Sequence, residues 1–396
     1  MSVRWRDAEP YRLLFPLGVL LGLVAVSLWP LFVYKAIHTY PGIPHARMMI
    51  EGFAACFILG FLGTALPHML VAPRFTLPEI LAWCAGLSGA CLLHLSGRPV
   101  SGDLAFAFTL VLFLGCVAAR ALRRTDRPPP GLITVMLGLV SAIAGASLQA
   151  LYLHAALPAF LHPFSRLLLN QAFLLLPVMG VGAYILPVFI GYPRRQSAPL
   201  LERTPGAWTR EALSMAAFGL ALIAGMALEA AGFARTGNLL RGLVLLLFLA
   251  RHLPIHRRQQ NPGTMAWLTR LAMMALPVGF LLLAAWPRAP LAWLHILYLN
   301  GLGLLITAVA TRVIVAHGGF QHLFPARWPA LWWVFGLITL AMATRVSADW
   351  MPDSRFSHYA YAALSWIAAM LLWLLTMRRF LLASEAESLD HKQQLR

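Results

Sequence analysis

The stretch "PHARMMIEGF" (residues 44–53) puts a histidine, an arginine, two methionines and a glutamate into a run otherwise fit for lipid. Ionisable side chains at a bilayer centre cost ~2.5–3.5 kcal/mol on insertion scales, so they face protein or water and usually have a role. On a helix, His45 shares a face with Met48 and Met49, at the i+3 and i+4 positions. Thioether and imidazole together suit Cu(I), and imidazole also suits haem iron. Glu51 stands off that face, where it can meet another helix, orient a ligand by a hydrogen bond or relay a proton. The plainer alternative makes Met48 and Met49 apolar filler and His45 an interface residue.

A second stretch, "WLHILYLNGLGLLITAVATRVIVAHGG" (293–319), carries His295, Arg312 and His317. A rise of 1.5 Å per residue separates the two histidines by ~33 Å, so they cannot share one metal. His295 does stand at the depth of His45. Two histidines from different helices at one depth are what bis-axial haem ligation requires. Arg312 either pairs with a carboxylate or a haem propionate at its own depth, or snorkels to the interface. Glu51 and Glu229 are the clearest carboxylates within apolar runs, a thin basis for a proton or cation path.

The elements that must position these residues are membrane helices. The 396-residue chain is 60% hydrophobic and 11% charged, with a mean hydropathy of +0.73. Soluble domains carry about 25% charged residues, so this composition excludes one. Runs of ~20 apolar residues span a bilayer, and twelve occur: 13–34, 46–70, 77–95, 102–121, 131–153, 164–190, 210–232, 237–255, 265–286, 290–316, 328–347 and 357–377. Backbone groups in lipid must bond internally, which makes the runs helices. Those at 77–95 and 237–255 are the least regular, each short and interrupted by polar residues. We expect an all-α polytopic bundle forming a single membrane domain over 1–396. Two six-helix halves, 1–190 and 210–380, are compatible with that count.

The net charge of +17 comes mostly from arginine in short loops, so it reports orientation and anionic lipid rather than nucleic acid. Of the 31 Lys and Arg, 21 fall on the side of the termini, nine on the other, and Arg312 lies within a helix. The positive-inside rule then places both termini in the cytoplasm. His38, His45, His94, His154, His162, His295 and His358 sort to the outer side; His68, His252, His256, His317 and His322 sort to the inner side. Cys56, Cys84, Cys91 and Cys116 sit in apolar runs with no C-x-x-C spacing, which makes them small packing residues. The N-terminus shows no A-x-A cleavage pattern and reads as an uncleaved first helix.

The two histidine-bearing stretches resemble the NnrS family, bacterial inner-membrane proteins that contain haem and copper. The family block H-A-H-E-M-x-x-G-F, closing with G-F-L-x-T-A-x-P, reads "HARMMIEGFAACFILGFLGTALP" here (45–67). The later block H-A-L-x-x-G-x-x-G…M-T-R-x-x-x-x-H-T-G corresponds to "HILYLNGLGLLITAVATRVIVAHGG" (295–319), and G-G-R-V-I-P is partly matched by "GAYILP" (182–187). The second histidine and the glutamate of the first block are Arg47 and Met48 here. The arginine of the third block falls on Tyr184, and a family histidine of the ninth helix falls on Thr269.

The resemblance implies a haem b protein of the bacterial inner membrane that helps cells withstand nitric oxide. His45 and His295 would be ligands near the outer surface, with Glu51 and Arg312 as supporting polar groups. Met48, Met49 and His317 are further candidate metal ligands. The departures at Arg47 and Thr269 count against copper more than against haem. The implied partners are the lipid bilayer and a small gas such as NO. The family has no established NO turnover; an enzyme here would be a haem-dependent NO oxidoreductase. Two other classes stay open: a proton- or cation-coupled secondary transporter, and a membrane subunit that has lost its cofactors.

Overall fold

The computed structural model describes residues 9–125, 127–152, 157–193 and 206–382. His154 and His391 lie outside them. The described residues form twelve long helical segments with short connections. These are α1 (Pro10–Val33), α2 (Gly42–Leu70), α3 (Leu77–Leu95), α4 (Pro99–Ala121), α5 (Leu132–Tyr152) and α6 (Leu161–Phe189). They continue as α7 (Ala207–Ala230), α8 (Ala234–His252), α9 (Thr264–Ala285), α10 (Pro290–His317), α11 (Pro329–Ser347) and α12 (Arg355–Leu382). Every apolar run of the sequence becomes one helix. Eleven are long and apolar enough to cross a membrane. The exception is α8, which carries Arg235, Arg241 and Arg251 in 19 residues.

Local chemistry explains the boundaries. Proline opens α1, α4, α10 and α11 at the first turn, where a missing N–H costs nothing. Thr76 and Glu79 form a capping box at the start of α3, and Arg120 of α4 pairs with the same Glu79 at 2.5 Å. Several helices outrun their apolar stretch. α2 begins at Gly42 instead of 46 and α12 runs on to Leu382 instead of 377. Polar interface residues continue a helix just as well as apolar ones, and hydropathy does not see them.

The start of α1 and the end of α12 lie at one end of the bundle, where Arg12 Nη1 donates to the carbonyl of Leu381 at 2.7 Å. We refer to this as the terminal end and to the other as the distal end.

Three helices form the middle of the bundle. In α2, α6 and α10, 72–78% of the spanning residues are buried, against 28–50% in the other spans. The same three share an uncommon local form. Each opens at the distal end with a short α-helical piece, then widens into a π-type turn before continuing as α-helix. The widened turns are Met48–Ala54, Leu168–Ala172 and Ile296–Gly303. Such turns are rare and concentrate at functional sites. The three helices stand second in consecutive sets of four, a period of four helices rather than six.

Candidate functional site

The distal ends of α1, α2, α10, α11 and α12 meet around two half-buried histidines. His45 Nδ1 lies 3.0 Å from the carbonyl oxygen of Ala25 on α1, and its ring meets the Trp29 ring edge-on at 5.8 Å. His295 Nδ1 lies 2.6 Å from the carbonyl of Leu291, one turn earlier on α10. With Nδ1–H donating to a carbonyl, each ring keeps its lone pair on Nε2, the tautomer a metal ligand needs. His45 and Arg345 are both close enough to His295 to act on its charge, and Arg345 acts on His45 as well. Arg345, at the end of α11, donates to Asp349 at 3.0 Å and lies 4.3 Å over the Tyr359 ring. Tyr359 in turn packs against Trp29 at 4.8 Å. The expected pair thus stands in one aromatic-walled region, joined by an arginine that hydropathy reads as an ordinary helix-end residue.

Glu51 belongs to a different group. It is fully buried in the π-type turn of α2, and Oε2 lies 2.8 Å from Nε2 of His94 on α3. Asp103 of α4 completes the set, 3.8 Å from His94. Arg47 sits inside it, with Nε 3.0 Å from Asp103 and 3.7 Å from Glu51. Its Nη2 also donates to Gln149 on α5 at 3.1 Å. Gln149 donates onward to the carbonyl of His162 at 3.1 Å and to the Ser165 hydroxyl. Two glycines permit this crowding. A Cβ on Gly52 would come within 2.6 Å of Cys91 Sγ, and one on Gly102 within 2.5 Å of the His94 ring. Glu51, His94 and Asp103 can each offer a ligand atom within 4.8 Å of the others, a geometry open to a metal ion. The guanidinium of Arg47 already supplies the cation.

A third polar group borders the π-type turn of α6. Arg241 of α8 is fully buried; Nη1 donates to Gln171 at 2.5 Å and Nη2 to Asn238 at 2.8 Å and to Glu229. The Phe280 ring lies 4.8 Å from this guanidinium. Gly225 and Gly237 make the arrangement possible, because a Cβ on either would strike the backbone of the other. Glu229 is therefore the partner of a buried arginine.

The remaining candidates lie elsewhere. Met48 is fully buried in the apolar core and Met49 packs against it. The π-type turn begins at Met48, so the regular α-helical face assumed from the sequence does not extend from His45 to Glu51. Arg312 and His317 are at the terminal end with His68, far from His45 and His295. Thr269 is buried and donates to the carbonyl of Met265. His358 accepts from or donates to Ser347 Oγ at 2.9 Å. Cys56 and Cys91 are buried and Cys84 and Cys116 half-buried, none of them in a disulfide.

Asp103, Arg241 and Arg345 were not singled out from the sequence. Each lies near the edge of an apolar run, where a charged residue reads as interfacial. The one available signal was the cost of charge: three such residues within helices imply three sets of partners.

No curated protein matches the chain in sequence. A family profile described as NnrS protein matches residues 7–384, nearly the whole length. The chain, a multi-pass helical membrane protein by its fold, belongs to the NnrS family.

Proposed function

We propose that His45 and His295 would hold a haem b at the distal end of the bundle, in a protein of the bacterial inner membrane that answers nitric oxide. One observation carries this reading. Two imidazoles from different buried helices each turn Nδ1 to a backbone carbonyl and keep Nε2 for a metal, with Arg345 in electrostatic reach of both. Two neutral nitrogen donors suit haem iron. Arg345 is placed to hold a carboxylate of the group, in the charge-assisted pairing arginine makes best. Trp29 and Tyr359 supply an aromatic wall. Haem, when bound, would supply an iron able to bind NO in its ferrous state. The residues themselves fix both imidazole tautomers, each Nδ1 facing a backbone carbonyl.

The excess of arginine at the terminal end places that end in the cytoplasm, which turns the histidine pair toward the periplasm. Reporter fusions at Arg124 and Arg195 should then report cytoplasm, and one at Pro99 periplasm. Copper has weaker support here, because the one three-ligand set among the described residues holds Arg47 within it.

Absorption spectra of the purified full chain, oxidised, reduced and with NO, test the reading. We expect a Soret band and a low-spin spectrum that shifts with NO. His45→Ala and His295→Ala should each lower haem content or turn the spectrum high-spin. A colourless protein would favour the transporter or cofactor-free classes, and both variants with full occupancy and an unchanged spectrum would remove this ligand pair.

A further inference from the structure

At the terminal end, α2, α6 and α10 enclose a cleft of about 600 Å³ that none of the roles above uses. Sites for small ligands run ~300–1,000 Å³, so a small molecule or a head group fits. The three stretches singled out in the sequence converge on it: "GFLGTALP" contributes Phe61 and Thr64, "GAYILP" contributes Tyr184 and Ile185, and "TRVIVAH" contributes Arg312 and His317.

The polar wall of this cleft is basic. The Arg312 guanidinium lies 3.9 Å from the Phe324 ring and 4.2 Å from the Phe189 ring, a stacking that fixes its plane and so the direction of its N–H donors. Arg74, just beyond α2, lines the same space and pairs with Glu9 at 3.2 Å. His68 and His317 present their rings 6.0 Å apart, and His317 Nδ1 is 3.0 Å from the carbonyl of Val313. Tyr11 packs on His317 at 5.4 Å. Among the described residues no carboxylate lines the cleft, and Glu9 is the acidic group beside Arg74. Phe61, Ile185, Val188 and Val313 give the lining an apolar side, and Thr64, Tyr184 and Gln321 are its neutral polar groups.

We propose that this cleft binds a phosphate-type oxyanion, carried by free phosphate or by the head group of an anionic lipid. Guanidinium groups match phosphate oxygens with parallel charge-assisted bonds. Basic pockets between membrane helices are a recurrent form of anionic head-group site. The apolar lining beside the charges suits a lipid or another amphipathic carrier. A metal ion between His68 and His317 is the rival occupant, since their rings stand at a distance one ion spans. Two fixed guanidinium charges in the same space work against a cation and for an anion.

The test uses the purified full chain in neutral detergent. Its melting temperature is followed against inorganic phosphate, against phosphatidylglycerol, and against phosphatidylcholine as the uncharged control. A ligand of the folded state raises the midpoint in a saturable way. General stabilisation by phosphate does not saturate and is equal in all variants. A saturable rise with phosphate is expected if the anion is free, and with phosphatidylglycerol alone if the lipid is the source. Arg312→Gln and Arg74→Gln should each raise the half-saturating concentration about tenfold or more. Arg74 has a side chain 53% exposed, so its variant keeps the test open should Arg312→Gln fail to fold. Arg288→Gln, an exposed residue at the distal end, should leave the titration as in the parent. The proposal is overturned if neither anion gives a saturable response, or if Arg74→Gln and Arg312→Gln both titrate like the parent. A saturable response to Zn²⁺ that disappears in His68→Gln, with none to the anions, would make the cleft a metal site instead.

Discussion

Two regions of the distal half solve the problem of polar groups in a membrane in opposite ways. Around Arg47 the chain supplies both signs of charge itself. Glu51 and Asp103 face the guanidinium, His94 bonds Glu51, and Gln149 takes a remaining N–H. The Arg241 group repeats the solution with Glu229, Gln171 and Asn238. Around His45 and His295 the chain instead brings together two Lewis bases and one cation, Arg345, whose own carboxylate Asp349 is a helical neighbour. A buried charge left without its opposite is strongly destabilising, and each of these groups sets charges of both signs together. The difference separates groups that answer charge with charge from a pair of neutral nitrogen donors, the pair for which we propose a bound haem.

The largest expected effect breaks the closed group. Arg47→Met leaves Glu51 and Asp103 facing each other at near-zero exposure, which should cost about 3–5 kcal/mol. Thermal unfolding of the purified variant measures it. The double variant Arg47→Met with Asp103→Asn, which removes charge of both signs, should recover much of the loss. An Arg47→Met variant as stable as the parent would mean that the group is not the structural unit described.

The second prediction sharpens the other side. If Arg345 holds a carboxylate of a bound haem, Arg345→Gln should weaken haem retention by about 10–100-fold, the worth of a hydrogen bond to a charged group. The bis-imidazole spectrum of the haem that remains should be unchanged. Haem transfer to an excess of apomyoglobin gives the retention, and the spectrum checks the ligands. Loss of the low-spin bands themselves would make Arg345 a structural support of the histidines rather than a holder of the group.

A third, smaller effect concerns copper. The parent should purify with less than one copper per chain, because Arg47 occupies the space among Glu51, His94 and Asp103. Arg47→His removes the fixed charge and adds an imidazole, so metal content should rise toward one per chain. Elemental analysis decides it. One copper in the unmodified protein, lost on His45→Ala, would show the histidine pair to be the copper site.

The smallest effect is a null one that the comparison demands. Glu51→Gln and His94→Gln disturb the closed group but should leave the haem spectrum within measurement error of the parent. A change of spin state in either would join the two regions that the structure keeps apart.

Much of this protein follows from its sequence alone. Twelve apolar runs became twelve helices, because a backbone in lipid has no other way to satisfy its hydrogen bonds. The depth of each histidine followed from position along a helix, so His45 and His295 fell at one end and His317 at the other. Family membership was legible in the blocks at 45–67 and 295–319. Which residues share a group was not legible. The widened turn that starts at Met48 alters the helical faces used to place Met48, Met49 and Glu51. Glu51 then meets His94 and Asp103, residues 43 and 52 positions away, through contacts that depend on the absence of a side chain at Gly52 and Gly102. Arg47 gains Asp103 only once α2 packs against α4, and Arg241 gains Glu229 and Gln171 only once α8 packs against α7 and α6. One-dimensional periodicity carries the depth and the face of a residue. The partner across the helix interface is set by packing between elements distant in sequence, and that is what decided which polar groups share a site.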